Sequence, residues 1–313
     1  MNEPTNPPII SALTPFSRTP ISRRHVDGVL LLDKPSGLTS NGALMRVKRL
    51  YNAEKAGHTG TLDPLASGLL PICFGEATKF AQALLDAPKR YVATVRFGVT
   101  TTTQDAEGDD VAVRPVAFDY ALLAVALQRF IGRQMQVPPA YSALKHKGRP
   151  HYDYARAGID VPRVPREIEI RSLRLTQWHE PDAVVEVECS KGTYIRAIAA
   201  DIGEALGCGA HLAALRRTQT GRFAVEDAVA LATLETMDSS RHDALLLSSD
   251  APVASMPRLD VREDAATSLR QGRAIASTDN NPGRYRCYSS GEFLGLIDIA
   301  GGAIRPARLI HIR

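Results

Sequence analysis

The chain has 313 residues, of which 44% are hydrophobic and 23% charged, with 23 glycines and 20 prolines. That composition excludes collagen, coiled coil and wholesale disorder, and at ~150 residues per domain the length predicts about two domains. The formal net charge of +4 makes the chain mildly basic, on its own a weak pointer to a polyanionic partner.

Residues 1–22 carry five prolines (Pro4, Pro7, Pro8, Pro15 and Pro20) and no sustained periodicity. They read as a disordered tail, extended to residue 25, with order beginning near Val26. The run Gly28-Val-Leu-Leu-Leu-Asp33 is an apolar strand, stopped by the turn signal Lys34-Pro35-Ser36-Gly37. Ser40 reads as the N-cap of a helix to about Tyr51. Residues 91–98 alternate as a strand does, residues 119–131 carry apolar side chains at helical spacing, and residues 184–189 alternate again. Residues 194–206 read as a helix ended by Gly207. Helices and strands mix without a regular βαβ period, which predicts an α+β core with a mixed, largely antiparallel sheet and not a doubly wound fold.

From about residue 238 to 256 the chain is Ser-rich and irregular. Short strands follow at 274–277, 284–288, 293–299 and 307–312, separated by Gly, Asn and Pro turns, which predicts a small appended β-barrel. The expected organisation is a tail at 1–25, a core domain at 26–248 and a C-terminal domain at 252–313. No internal repeat is found. No apolar run approaches the ~18 residues of a membrane span, and the N-terminus lacks the apolar core of a signal peptide, so a non-exported, cytoplasmic protein is expected. Cys73, Cys189, Cys208 and Cys287 lie far apart with no C-x-x-C pair, so reduced thiols are expected, with neither a disulfide scaffold nor a structural zinc.

Charge is unevenly distributed. Residues 23–98 carry 11 basic and 6 acidic side chains, and residues 128–175 carry 10 and 4, while the connector 99–127 carries 1 and 5. Two basic regions brought to one face suit a long anionic ligand; a solvated surface is the equally weighted alternative on charge alone.

The densest cluster of unusual residues is Gly57-His-Thr-Gly-Thr-Leu-Asp-Pro-Leu-Ala-Ser-Gly-Leu-Leu70. Its glycines and proline exclude a regular helix or strand, and Pro64 keeps Asp63 out of the α region. Asp63 therefore sits on a rigid loop able to present one carboxylate to a cleft. On local sequence alone the favoured reading is instead a turn aspartate capping a helix from Ala66.

Six separated blocks run in order along the chain: Gly28 to Gly37, His58 to Leu70, Lys89-Arg-Tyr91, Pro139-Ala-Tyr-Ser-Ala-Leu-Lys145, Ser190-Lys-Gly-Thr-Tyr-Ile-Arg196, and Gly207-Cys-Gly-Ala-His-Leu-Ala-Ala-Leu-Arg-Arg217. On these blocks, residues 28–235 resemble the TruB-type tRNA pseudouridine synthases. The resemblance implies a catalytic core of the pseudouridine synthase type followed by a small PUA-like RNA-binding barrel. It implies isomerisation of uridine to pseudouridine at position 55 in the tRNA T-loop, with the target base flipped out and no metal, nucleotide or organic cofactor. The motif census agrees: there is no Walker loop, no H-E-x-x-H, no Gly-x-Gly-x-x-Gly and no zinc-deaminase signature.

Residue by residue, the resemblance makes Asp63 the catalytic carboxylate, Arg196 the arginine that pairs with it, and Tyr91 a tyrosine that stacks on the target base and relays a proton. Tyr194 and Leu215 become substrate contacts in the pocket, and His58 a histidine that enters the T-loop stack. Lys34 lies in the first motif, with a structural or phosphate-proximal role. The segment 139–166 interleaves basic and aromatic residues (Tyr141, Lys145, Lys147, Arg149, Tyr152, Tyr154, Arg156, Arg163, Arg166), the composition of an RNA-gripping element. The partner implied is the T-arm of tRNA, met by a monomer with no required protein partner and no membrane. Three alternatives carry other predictions: an RNA-folding module with secondary catalysis, a guide-RNA-dependent relative, and a glycosidase. The glycosidase needs a second catalytic carboxylate, and none stands out beside Asp63.

Overall fold

The computed structural model describes residues 22–277 and 281–311. The expected tail lies largely outside these residues. Within them, Arg24 is already bound into the fold: its N–H donates to Asn52 O at 2.8 Å and its guanidinium pairs with Asp243 at 2.5 Å.

A ten-stranded sheet forms the core. Its strands are β1 (Gly28–Lys34), β2 (Ala56–His58), β3 (Ser67–Phe74), β4 (Lys89–Phe97), β5 (Gly132–Gln136), β6 (Arg166–His179), β7 (Asp182–Cys189), β8 (Ala210–Thr220), β9 (Phe223–Ala224) and β10 (Val229–Ala230). The order is β10-β1-β3-β8-β4-β7-β6-β5, with β2 added to β3 and β9 to β8. Pairing is antiparallel except for β1 with β10 and β3 with β8, so the sheet is mixed and largely antiparallel, as expected from the sequence.

The β3–β8 contact joins two halves. It is short, Arg216 opposite Ser67 and Arg217 opposite Gly68. Gly68 has φ +101°, and a Cβ there would lie 2.2 Å from Arg217 O, so only glycine permits this approach. One hydrophobic core packs β4, β6, β7 and β8 against α2 (Tyr120–Gln128) and α3 (Ile195–Ala205). A second packs β1 and β3 against α1 (Ser40–Leu50). Tyr91 and Leu215 touch both cores, which places them at the seam.

The helix starts differ in one instructive way from expectation. The N-cap of α1 is Thr39, whose hydroxyl accepts from Gly42 N. Ser40 is one residue inside the helix, and its buried hydroxyl donates to Leu62 O at 2.9 Å and accepts from Leu62 N at 2.7 Å. Two adjacent hydroxyls competed for the cap, and the one with a long-range partner was used for that partner.

A separate five-stranded sheet follows, in the order β11-β13-β14-β15-β12. These strands are β11 (Arg258–Asp260), β12 (Ile275–Ala276), β13 (Gly283–Ser289), β14 (Glu292–Ala300) and β15 (Ala303–Leu309). Helix α4 (Glu263–Arg270), absent from the sequence expectation, buries Ala266 and Leu269 against Cys287, Ile297 and Ile304. The last strand begins at Ala303, ahead of the expected 307, because Pro306 sits opposite Ile297 at a register shift, where a proline costs no ladder hydrogen bond. The sheet docks on the core through Phe80 and Phe293, whose ring centroids lie 5.3 Å apart, and through Lys79 Nζ, which donates to Leu309 O at 2.9 Å. All four cysteines are buried and free. Among the described residues no helix is long and apolar enough to cross a membrane.

Candidate active site

No helix begins at Ala66; strand β3 begins at Ser67, and the 59–66 loop crosses the seam of the sheet. The loop is pinned along its length. Thr59 N donates to Pro71 O at 3.0 Å, Ser40 brackets Leu62, and Pro64 O accepts from Gly37 N at 2.7 Å. Asp63 is therefore held on both sides by backbone bonds, and its side chain is left 41% exposed.

Arg196 lies in the first turn of α3 and faces that carboxylate. Its Nε is 3.0 Å from Asp63 Oδ2 and its Nη1 is 3.3 Å from Asp105 Oδ2. Nη1 also donates to Thr103 O at 2.9 Å and Nη2 to Tyr141 O at 2.8 Å. A buried guanidinium thus has an acceptor at every nitrogen, which fixes its plane. Burial pushes the Asp63 carboxyl above the ordinary carboxylate value; Arg196 and Lys34 pull it down, Asp105 pushes it up, and the net direction is upward.

A cavity of about 320 Å³ opens beside Asp63. Tyr91, Tyr194, Arg196 and Leu215 line it, together with Lys89, Arg217 and Ser142 to Leu144 of the insertion. Lys89 and Tyr91 share one face of β4, and Tyr91 stands directly opposite Arg217 on β8. Burial pushes the Tyr91 phenol up, while the facing Arg217 pulls it down. Tyr194 is the N-cap of α3, and burial likewise raises its phenol. Its backbone is gripped by Gln136: Tyr194 N donates to Gln136 Oε1 at 2.8 Å, and Gln136 Nε2 donates to Tyr194 O at 3.0 Å.

Two expected site residues do not line the cavity. Lys34 is fully buried under the turn that follows β1, its ammonium donating to Pro35 O at 2.9 Å and Leu38 O at 2.5 Å. Burial lowers it to about 8. His58 ends β2, opposite Ile72, with its buried Nδ1 unpartnered; burial and then Arg217 lower its pKa.

The insertion folds as a hairpin, Lys145–His146 against Arg149–Pro150, followed by a short helix, His151–Arg156. Arg149 lies over the Tyr154 ring at 5.1 Å and Arg156 over Tyr152 at 5.5 Å, so aromatic faces orient its guanidinium groups.

Three comparisons with known proteins decide the family. Residues 48–195 match the model of the TruB family pseudouridylate synthase N-terminal domain. Residues 196–254 match a tRNA pseudouridylate synthase B C-terminal domain, and 257–310 a pseudouridine synthase II TruB C-terminal domain. The protein named tRNA pseudouridine synthase B from Thiobacillus denitrificans is 53% identical over 290 residues, covering 92% of this chain and 97% of that protein. The chain belongs to the TruB family of pseudouridylate synthases. The relative of the same name from Chromobacterium violaceum is 51% identical over 300 residues, 94% of this chain and 98% of that one. Among solved structures, a chain from the crystal structure of a Cbf5-Nop10-Gar1 complex is similar, with 26% identity and a TM-score of 0.68 over 90% of this chain and 84% of that one.

Asp105 was missed in sequence because its stretch looked like a solvated acidic connector. In this TruB-family chain its side chain is 3% exposed, with Oδ1 accepting from Thr103 Oγ1 at 2.5 Å and from Glu107 N at 3.1 Å. A second carboxylate therefore does stand beside Asp63, contrary to expectation. It is committed to Arg196 and does not line the cavity, so it cannot serve as the exposed acid that a glycosidase needs. The Thr101-Thr102-Thr103-Gln104-Asp105 run was the available signal: hydroxyls at that density satisfy a buried carboxylate.

Proposed function

We propose that this chain isomerises the uridine at position 55 in the T-loop of tRNA to pseudouridine, moving the glycosidic bond from N1 to C5. In this reading it grips the T-arm as a monomer in the cytoplasm, with no cofactor, guide RNA or protein partner. Membership of the family makes it an RNA pseudouridine synthase acting on tRNA. The observation that carries the finer reading is the Asp63–Arg196 pair, an accessible carboxylate 3.0 Å from a buried guanidinium with an acceptor at every nitrogen, beside an open cavity.

The chemistry follows from that pair. A uridine inside a folded loop hides its reacting atoms, so the base must leave the stack to reach Asp63. Tyr91 offers an aromatic face to any pyrimidine, worth about 1–3 kcal/mol of stacking. Leu215 closes the apolar side, and Tyr194 borders the cavity at the head of α3. The carboxylate then adds to C1′, adds to C6, or takes a proton from C2′ on a glycal path. In this reading His58, which does not line the cavity, enters the T-loop stack, and Lys34 holds the turn that frames the loop.

The test is one unmodified tRNA transcript incubated with purified protein, with pseudouridine mapped along it. Modification at position 55 without added protein or guide RNA supports the stand-alone reading. Modification only after guide RNA or partner proteins are added would overturn it.

A further inference from the structure

Two cations line the cavity without a carboxylate partner. Arg217 is 1% exposed; its Nε donates to Leu69 O at 2.7 Å and its Nη2 to Gly60 O at 3.1 Å. Lys89 is 6% exposed; its ammonium donates to Leu84 O at 3.2 Å and Leu85 O at 2.6 Å. No salt bridge among the described residues reaches either side chain. By contrast, Asp63 and Asp105 both belong to Arg196. Burying a charge without a counter-ion costs several kcal/mol, and an apolar side chain of similar volume would avoid that cost. Burial and the charge of Arg217 lower Lys89 to about 8, a sign that its proton is held reluctantly. The two residues flank Tyr91, Arg217 directly opposite it and Lys89 two positions away on the same strand face.

Resting on the functional reading above, we propose that Lys89 and Arg217 are a cationic floor that stabilises the negative charge appearing on the uracil ring during the rearrangement. That charge appears on every route open to Asp63. When the C1′–N1 bond breaks, its electron pair stays on the base, spread over N1, O2 and O4. On the glycal path the proton from C2′ goes to Asp63, and the base again leaves with the pair. Addition of the carboxylate to C6 pushes the ring pair onto C5 and O4. On every route the C1′–N1 bond breaks and the C1′–C5 bond forms; Asp63 is released as its bond to C1′ or C6 breaks or as it returns the proton to C2′; C5 loses one proton and N1 gains one, so no oxidant or co-reactant is needed. Positive charge fixed on two buried side chains stabilises such an anion without reorganising at the moment of reaction.

A purely structural role competes with this. Lys89 bonds the last carbonyls of the short helix Ala81–Asp86 and so could serve only as its cap. Leaving-group acidity separates the two. Fluorine at C5 acidifies the uracil ring, so a 5-fluorouridine target needs less help to carry negative charge. The experiment measures single-turnover consumption of the parent nucleoside in tRNA carrying uridine or 5-fluorouridine at the target position. It compares wild type with Lys89→Gln, Lys89→Arg and Arg217→Gln, recording tRNA affinity and melting temperature alongside.

The Gln variants should lose about 10²-fold on uridine with tRNA affinity within a few-fold. On 5-fluorouridine the loss should shrink to about tenfold or less, and Lys89→Arg, which keeps the charge, should stay near wild type on both. Equal losses on the two substrates, wild-type rates in the Gln variants, or a Lys89→Arg variant that folds but is as slow as Lys89→Gln would overturn the proposal. If the Gln variants do not fold, Lys89→Arg and Arg217→Lys on the two substrates still decide it. A wild-type protein inert on tRNA would instead bring down the functional reading itself.

Discussion

Arg196 Nε meets Asp63 Oδ2 at 3.0 Å across a gradient of burial: the guanidinium side chain is 6% exposed and the carboxylate 41%. The cation is the fixed partner, held by two backbone carbonyls and by Asp105. The carboxylate is the accessible one, held by its loop and by Arg196. A group that must bond transiently to substrate belongs on the open side of such a pair, and its orienter on the closed side.

Asp63→Asn should therefore abolish turnover while leaving tRNA affinity within a few-fold. The amide keeps the shape and loses the nucleophile or base. Pseudouridine formation in single turnover is the measurement. A residual rate above about a tenth of wild type contradicts the assignment, because losing the anionic step should cost several kcal/mol.

Arg196→Lys should be nearly as damaging as Arg196→Ala. A lysine ammonium is a point charge and cannot reach Asp63, Asp105, Thr103 O and Tyr141 O from one plane. Rates within a few-fold of wild type in the Lys variant would show that Arg196 does not set the Asp63 geometry.

The pH profile carries a sign. Asp63 titrates above an ordinary aspartate, and the proposed role needs it ionised, so the rate should fall as pH drops through that raised value. Asp105 is one of the groups pushing it up, so Asp105→Asn should move the acid limb to lower pH; Arg196→Gln, which removes a group pulling it down, should move the limb to higher pH. Single-turnover rates across the acidic range test both shifts, and a limb that moves the opposite way in either variant refutes the coupling. The same raised value makes ionised Asp63 a cost to folding above its unfolded pKa, relieved as pH falls.

How much of this was legible in the sequence depends on the range of the interaction. Strand β1 follows from a short apolar run ended by a turn signal, β4 and β7 from local alternation, and the mixed sheet from the absence of a βαβ rhythm. The Asp63 loop is visible because Gly and Pro announce it. That Asp63 faces Arg196 is a property of the fold, and only the resemblance to a known family put the two together. Asp105, Gln136, Lys89 and Arg217 show why the rest stayed hidden. Each is a polar residue that reads as surface until the tertiary structure buries it. Gln136 is 4% exposed because it grips the Tyr194 backbone from the far edge of the sheet, a pairing that no periodicity encodes.

Binding to tRNA should weaken steeply with salt, by a factor set by the number of phosphates neutralised. The insertion is the place to look. Lys147 and Gly148 form the tip of its hairpin, and Lys145 stands at the hairpin base. Lys145→Ala and Lys147→Ala should each lower affinity evenly across tRNAs and reduce the salt slope by about 1. A slope unchanged in both would place the phosphate contacts elsewhere.

Removing the C-terminal sheet should weaken tRNA binding and leave the chemistry detectable, provided the cut respects the packing. Every cavity residue lies between Gly60 and Arg217, so truncation removes no group that lines the cavity. The sheet has its own core around Leu269, Cys287 and Ile297, the mark of a unit that contributes its own contacts. A cut at Ala251 would go too far, because Val253 is buried with Phe80 and belongs to the docking surface. Ending the chain after Met256 keeps Val253 and leaves Phe80 without Phe293 and Leu296. That loss reaches the site indirectly, since Phe80 precedes the short helix whose Leu84 and Leu85 carbonyls hold Lys89. The expected signature is a raised KM with kcat reduced much less, and a smaller effect on an isolated T-arm hairpin than on full tRNA. Phe80→Ser in the truncated chain should restore solubility lost to the bared aromatic. A folded, soluble truncation inactive on both substrates would mean that the C-terminal sheet completes the catalytic core.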